Sequence, residues 1–194
     1  MILTTSVIRD SLSGYGNPVC KMGRLVRDGK YHRVIRGIFE TDPNTPGEYL
    51  AQAIYTPSYL SFEFALSRYG IIPEAVFDFT SATFRKRRAK RYVTEFGVFT
   101  YRDVPDKVFP EAVRYVSGSY GGYWMADPEK ALCDKLYTLP PMSSERRMQI
   151  LLFDDLRVDE DVLKEMDLDK IAMLSERYQS TNVRLLLKVR ERIR

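Results

Sequence analysis

NPVCKMGRLVRDGKYHRVIRGIFET, residues 17–41, is the stretch on which the fold turns. Asn17 is a favoured N-cap, Pro18 suits the first helical position, and Gly29 suits the position just past a helix end. The spacing therefore predicts a helix over 17–29, of about three turns. At about 100° per residue, Val19, Met22, Leu25 and Val26 share an arc of about 120°, with Lys21, Arg24 and Arg27 on the other side. One face is set to pack and the opposite face is cationic. The continuation, 31–41, is rich in β-branched and aromatic residues and is interrupted only by Gly37. It reads as a two-stranded hairpin turning near Arg36 and Gly37, with Lys30, His32, Arg33 and Arg36 on or beside it. Upstream, TTSVIRDSLSGY, 4–15, opens on Thr/Ser caps, ends at Gly14 and places Val7, Ile8 and Leu12 at helical spacing, which predicts a short helix. Helix, turn, helix with a basic face and then a basic hairpin is the order of a winged helix-turn-helix, whose second helix enters the major groove. The competing reading is an amphipathic helix with a solvated basic face.

Composition limits what surrounds this module. A chain of 194 residues, 44% of them hydrophobic, can hold one ordinary domain plus a small one. No apolar run reaches the roughly 18 to 20 residues of a membrane span, and MILTTSVIRD lacks the order of a secretory signal, so the expectation is a cytoplasmic protein with no membrane partner. The two cysteines, Cys20 and Cys133, lack CxxC spacing and read as reduced thiols. The net charge of +4 is unevenly spread: residues 1–50 hold 7 Lys/Arg against 5 Asp/Glu, 51–105 hold 8 against 5, and 106–194 hold 15 against 16. The surplus lies in the first half, which is where phosphate contacts are expected.

TDPNTPGEY, 41–49, gathers Pro, Gly and Asn between periodic segments and reads as a linker. Two domains follow from it, 1–44 and 45–194. The larger one opens with a core helix over 56–70, bracketed by Thr56, Pro57 and Gly70. Strand-like segments follow at 75–83, 92–101 and 119–126. The last runs into DPEKALCDKLYTL, where Asp127 is a capping residue, Pro128 starts a helix and Glu129 meets its positive end. Residues 143–194 read as several helices. The fold class is α+β: an abbreviated amino-terminal winged helix-turn-helix followed by a larger mixed α/β domain ending in helices.

Few residues carry catalytic chemistry. His32 has no Ser or Cys partner nearby in sequence and suits a phosphate or solvent contact better than a general base. Asp154, Asp155 and the acidic run 159–161 offer carboxylates for Mg²⁺, but at helix starts such carboxylates cap and oppose the dipole. No GxxxxGK[ST] or GxGxxG occurs in the chain. The expectation is a non-enzyme with no catalytic residue, cofactor or metal. A hydrolase or nuclease using the acidic clusters is the minor competing reading.

RKRRAKR, 85–91, is the densest basic stretch: Arg85, Lys86, Arg87, Arg88, Lys90 and Arg91. Its place between two expected strands predicts an exposed connection, either simply solvated or making auxiliary nucleic-acid contacts that add affinity. Specificity is expected of Lys21, Arg24 and Arg27, because a helix fixes their spacing.

In order, YGNPVCKMGRLVRDGKYHRVIRGIFE, YTPSYLSFEFALSRYGIIPE, FTSAT, FGVFTYRDVP and YWMADPEKALCDKLY resemble the AbiEi family of antitoxins from type IV toxin-antitoxin systems, over about residues 15–140. The resemblance implies a bacterial abortive-infection, phage-defence protein with an operator-binding winged helix-turn-helix that represses its own operon. It also implies a larger domain needed for antitoxicity against a nucleotidyltransferase-like toxin, without a stable complex. Carried onto this chain, the recognition helix is 17–29 and the wing 31–40. Operator DNA is then the partner, with a homo-oligomer on DNA allowed. Members of the family have a further helix ahead of the one at 4–14, so this module is abbreviated and needs packing from the second domain or a second subunit. The alternative is a protein- or RNA-interaction module with a vestigial helix-turn-helix and no specific DNA binding.

Overall fold

The computed structural model describes residues 1–193. The chain is α+β, with a three-stranded and a six-stranded sheet. The first unit runs β1 (Ile2–Thr4), α1 (Thr5–Ser11), α2 (Pro18–Arg27), β2 (His32–Ile35) and β3 (Ile38–Glu40). Its antiparallel sheet has the order β1-β3-β2. The expected helix at 4–15 starts after Thr4 as its pattern has it but ends early, at Ser11, with the chain from Leu12 onward in turns; ahead of it Ile2 to Thr4 lie opposite Glu40 to Ile38. Thr4 ends the strand and caps α1, accepting from Val7 N.

Helix α2 follows its local signals. The Asn17 Oδ1 accepts from Cys20 N at 3.0 Å, and Pro18 occupies the first turn. At the other end Gly29 takes φ +67°, Lys30 N donates to the Leu25 carbonyl at 2.9 Å, and Gly29 N donates to Val26. That paired closure is a Schellman motif, which needs the left-handed residue that glycine supplies. Helix α2 nevertheless buries no residue fully. Met22, Leu25 and Val26 lean on a small cluster of Ile8, Leu12 and Phe39, whereas Val19, expected on the packing face, is exposed.

The hairpin is tied to the larger unit. Its register slips between Arg33 and Ile35, leaving Val34 as an extra residue. A bulge re-aims a side chain, and Val34 is buried in the main hydrophobic cluster with Leu50, Phe99 and Leu132. The short first module thus borrows packing from the second.

The six-stranded sheet has the order β6-β7-β5-β4-β9-β8. Its strands are β4 (Tyr59–Leu60), β5 (Phe79–Thr83), β6 (Lys90–Thr94), β7 (Gly97–Asp103), β8 (Val113–Gly118) and β9 (Gly121–Ala126). Several expectations are corrected here. The helix predicted from Thr56 begins later, as α4 (Phe62–Arg68), after a short α3 (Ala51–Ile54), a cis Thr56–Pro57 bond and β4. The Thr80 hydroxyl on β5 accepts from Phe64 N at 3.0 Å, so α4 is capped from across the sheet, out of reach of any local pattern. The strand predicted over 92–101 is a β6–β7 hairpin, and the strand over 119–126 is the second arm of a β8–β9 hairpin.

Helix α5 (Pro128–Tyr137) starts where Asp127 and Pro128 place it, but its acidic residues are used differently from expectation. The Asp127 side chain accepts no helix N–H; it takes Lys170 Nζ at 3.2 Å. Glu129 is buried and accepts from Asp167 N at 3.0 Å, at the start of α8 (Leu168–Tyr178). The remaining helices are α6 (Glu145–Gln149), followed by a π-helical segment Ile150–Asp155, α7 (Glu160–Glu165) and α9 (Thr181–Arg192). Asp159 caps α7 by accepting from Asp161 N, while Asp154 and Asp155 end the π segment instead of starting a helix.

Candidate nucleic-acid interface

The two groups of cations singled out in the sequence lie on different parts of the fold. Arg24 and Arg27 are exposed in the last turn of α2, where the helix dipole favours positive charge. Lys21 is half-buried, its ammonium 5.2 Å from the centre of the Tyr15 ring. Arg33 lies on β2 with its guanidinium 5.7 Å from the Phe39 ring, and Arg36 stands at the hairpin tip before Gly37. Among the described residues no ion pair engages Lys21, Arg24, Arg27, Lys30, Arg33 or Arg36. These cations keep their full charge for an outside anion.

The hairpin and β6 face each other across an open groove of about 970 Å³, lined by Tyr31 to Arg36, Val26 and Arg91 to Glu95. The groove brings Arg91 beside Arg33 and Arg36, so one end of the RKRRAKR stretch joins the hairpin cations. His32 sits in the seam, mostly covered, with Nδ1 3.8 Å from a Glu95 carboxylate oxygen. Its Nε2 is buried without a hydrogen-bond partner among the described residues. It is therefore placed between the units and not on the open cationic face.

The basic stretch is not one loop. Lys90 and Arg91 belong to β6. Arg85 and Arg87 have positive φ, and the Asp103 carboxylate accepts from Lys86 N at 2.8 Å and from Arg87 N at 2.6 Å. Arg85 pairs with Asp106, and Lys86 Nζ donates to the Thr56 carbonyl at 2.9 Å. Arg87, Arg88, Lys90 and Arg91 are exposed, and among the described residues none has an ion-pair partner.

Three arrangements escaped sequence reasoning. The first is a buried polar network: Lys130 and Asp134, both fully buried, pair at 2.8 Å, with Tyr59, Ser61 and Tyr178 completing the Asp134 carboxylate. Burial and the Asp134 charge push the Tyr59 and Tyr178 hydroxyls well above their ordinary range. The signal was there in PEKALCDKLY, where a Lys and an Asp four apart sit among Ala131, Leu132, Cys133 and Leu136. The second is Glu63, which accepts from Arg102 of β7 and from Lys135 of α5 at 2.7 Å. Burial alone would raise its carboxyl, but the Arg102 and Lys135 charges outweigh it and hold it at about 2. The third is an aromatic surface on β8 and β9, with Tyr115 and Trp124 exposed and 5.2 Å apart. Among the described residues, no group of three or more His, Cys, Asp or Glu is placed to hold a metal ion, and no helix is long and apolar enough to cross a membrane.

Compared with family models and with curated proteins, the chain matches none.

Proposed function

We propose that the chain is a DNA-binding autorepressor and antitoxin of AbiEi type, a non-enzymatic cytoplasmic regulator that counteracts a nucleotidyltransferase-like toxin without forming a stable complex with it. The observation that carries the DNA-binding half is the arrangement of α2 and the β2–β3 hairpin: a capped helix and a hairpin presenting unpaired Lys21, Arg24, Arg27, Arg33 and Arg36. The order β1, α1, α2, β2, β3 supports the winged helix-turn-helix reading, with α2 as the helix that enters the major groove and the hairpin on the backbone. Val34 gives the first module a fixed seat on the larger unit, and a fixed seat is what a rigid reading head requires. The antitoxin half rests on the ordered segments that resemble the family.

Two experiments separate the halves. A gel shift with the intact protein and its own promoter duplex should give a shift that unrelated duplex competes away poorly. Co-expression with a nucleotidyltransferase-like toxin of such a system should restore growth. A shift equally sensitive to any duplex would remove specific repression, and unrelieved toxicity would remove the antitoxin reading.

A further inference from the structure

We infer that a second face, where β4, β9 and β8 meet the loop of residues 84–88, binds single-stranded nucleic acid, with one base entering a cavity beside Trp124. The cavity measures about 280 Å³ and is walled by Gln52, Pro57, Ser58, Phe109, Val113 and Trp124. That is at the small end of organic-ligand sites, about 300–1,000 Å³, and suits one planar ring system better than a whole cofactor. Its walls are mainly apolar and aromatic, yet it contains a polar anomaly. Ser58 is 3% exposed and its hydroxyl has no hydrogen-bond partner among the described residues. A buried hydroxyl left unpaired is costly, and a small opening of the cavity wall would bring it to the polar edge of a base, which an aliphatic side chain lacks.

The rim supplies the two other elements of single-strand recognition, stacking surfaces and free cations. Trp124 is 42% exposed and Tyr115 53%, with interplanar angle 63°. Tyr115 is held over Gly122, where a Cβ would come within 2.3 Å of its ring, so the glycine makes the seat for the aromatic platform. On the opposite wall Phe109 packs against Phe84 at 4.4 Å, and Lys86 Nζ bonds the carbonyl of Thr56, next to Pro57. The cavity wall thus leads directly into residues 84–88, where Arg87 and Arg88 are exposed and without ion-pair partners among the described residues. Aromatics, an orphan hydroxyl in a ring-sized cavity and neighbouring guanidiniums together fit a strand whose bases are unstacked. Duplex bases stay in their stack and cannot reach such a cavity. The site therefore goes beyond the operator reading and does not depend on it.

Trp124 is the only tryptophan of the chain, so its fluorescence reports the site directly. The full chain is titrated at low salt with single-stranded oligouridylate and oligothymidylate of about ten nucleotides, with duplex of the same length, and with a polyglutamate peptide of similar charge. Both single strands should quench Trp124, since base stacking tolerates either sugar, and duplex and peptide should not. Tyr115→Ala should weaken the quenching titration about fivefold or more, with Tyr115→Phe restoring it. Arg87→Ser together with Arg88→Ser should weaken it and flatten its salt dependence, while Arg24→Ala with Arg27→Ala leaves it unchanged. Circular dichroism establishes that each variant is folded. Absence of quenching by either single strand, or equal quenching by duplex or peptide, overturns the inference.

Discussion

Replacing Glu63 with Gln removes a charge and little volume, which makes it a clean probe of how the sheet is joined to its helices. Glu63 on α4 holds Arg102 of β7 and Lys135 of α5, and Arg102 also lies 4.0 Å over the Phe62 ring. Its carboxyl falls from an ordinary 4.5 to about 2 in the folded chain. Such a depression corresponds to about 3 kcal/mol of stability at neutral pH. The carboxylate is 28% exposed, and solvent screening reduces the figure to about 2 kcal/mol. Because the folded value is depressed, this contribution is fully present above about pH 4.5 and is lost as pH falls towards about 2. Urea unfolding of wild type and Glu63→Gln, followed by far-ultraviolet circular dichroism, should differ by about 2 kcal/mol at pH 7 and by roughly two thirds of that at pH 3.5. A difference under about 0.5 kcal/mol at pH 7, within the range of an ordinary surface change, or a larger one that ignores pH, would refute the reasoning.

Asp134→Ala strands the fully buried Lys130 ammonium and should cost about 3–5 kcal/mol, whereas Lys130→Met with Asp134→Leu should recover only part of it, since the Tyr59, Ser61 and Tyr178 hydroxyls lose their acceptor; chemical denaturation of the three proteins checks this. Val34→Ala removes two buried methyl groups from the seat of the hairpin and should cost about 2 kcal/mol. Limited proteolysis of the same variant should be faster within residues 41–46, because the first module is held less firmly to the larger unit.

What the sequence disclosed and what it hid divide along the range of the interactions. Helix α2, its Schellman end and the hairpin were legible because Asn17, Pro18, Gly29 and Gly37 act within a few residues of themselves. The expected fold class stands as a mixture of helices and two sheets, and α5 begins where Asp127 and Pro128 place it. Strand β1 was hidden because three residues acquire strand character only from β3, and β4 because its two residues are defined by partners on β5 and β9. The α4 start was misplaced because its cap is Thr80, distant in sequence. Of the site, the α2 and hairpin cations were legible by charge and spacing. The seam that holds His32, the groove that recruits Arg91 and the cavity beside Trp124 were not, since each is assembled from strands that meet only in the folded chain. Charge density alone made RKRRAKR prominent, but it did not show that Asp103 fixes the loop or that Lys90 and Arg91 form an edge strand.

The central claim, that α2 reads operator duplex, is tested most directly by the salt dependence of promoter binding. Affinity is measured over a series of salt concentrations for the wild type and for Arg24→Ala with Arg27→Ala. Loss of two phosphate contacts should weaken binding and reduce the slope of log K against log salt by about 2. An unchanged affinity and slope in the folded double variant would contradict the claim.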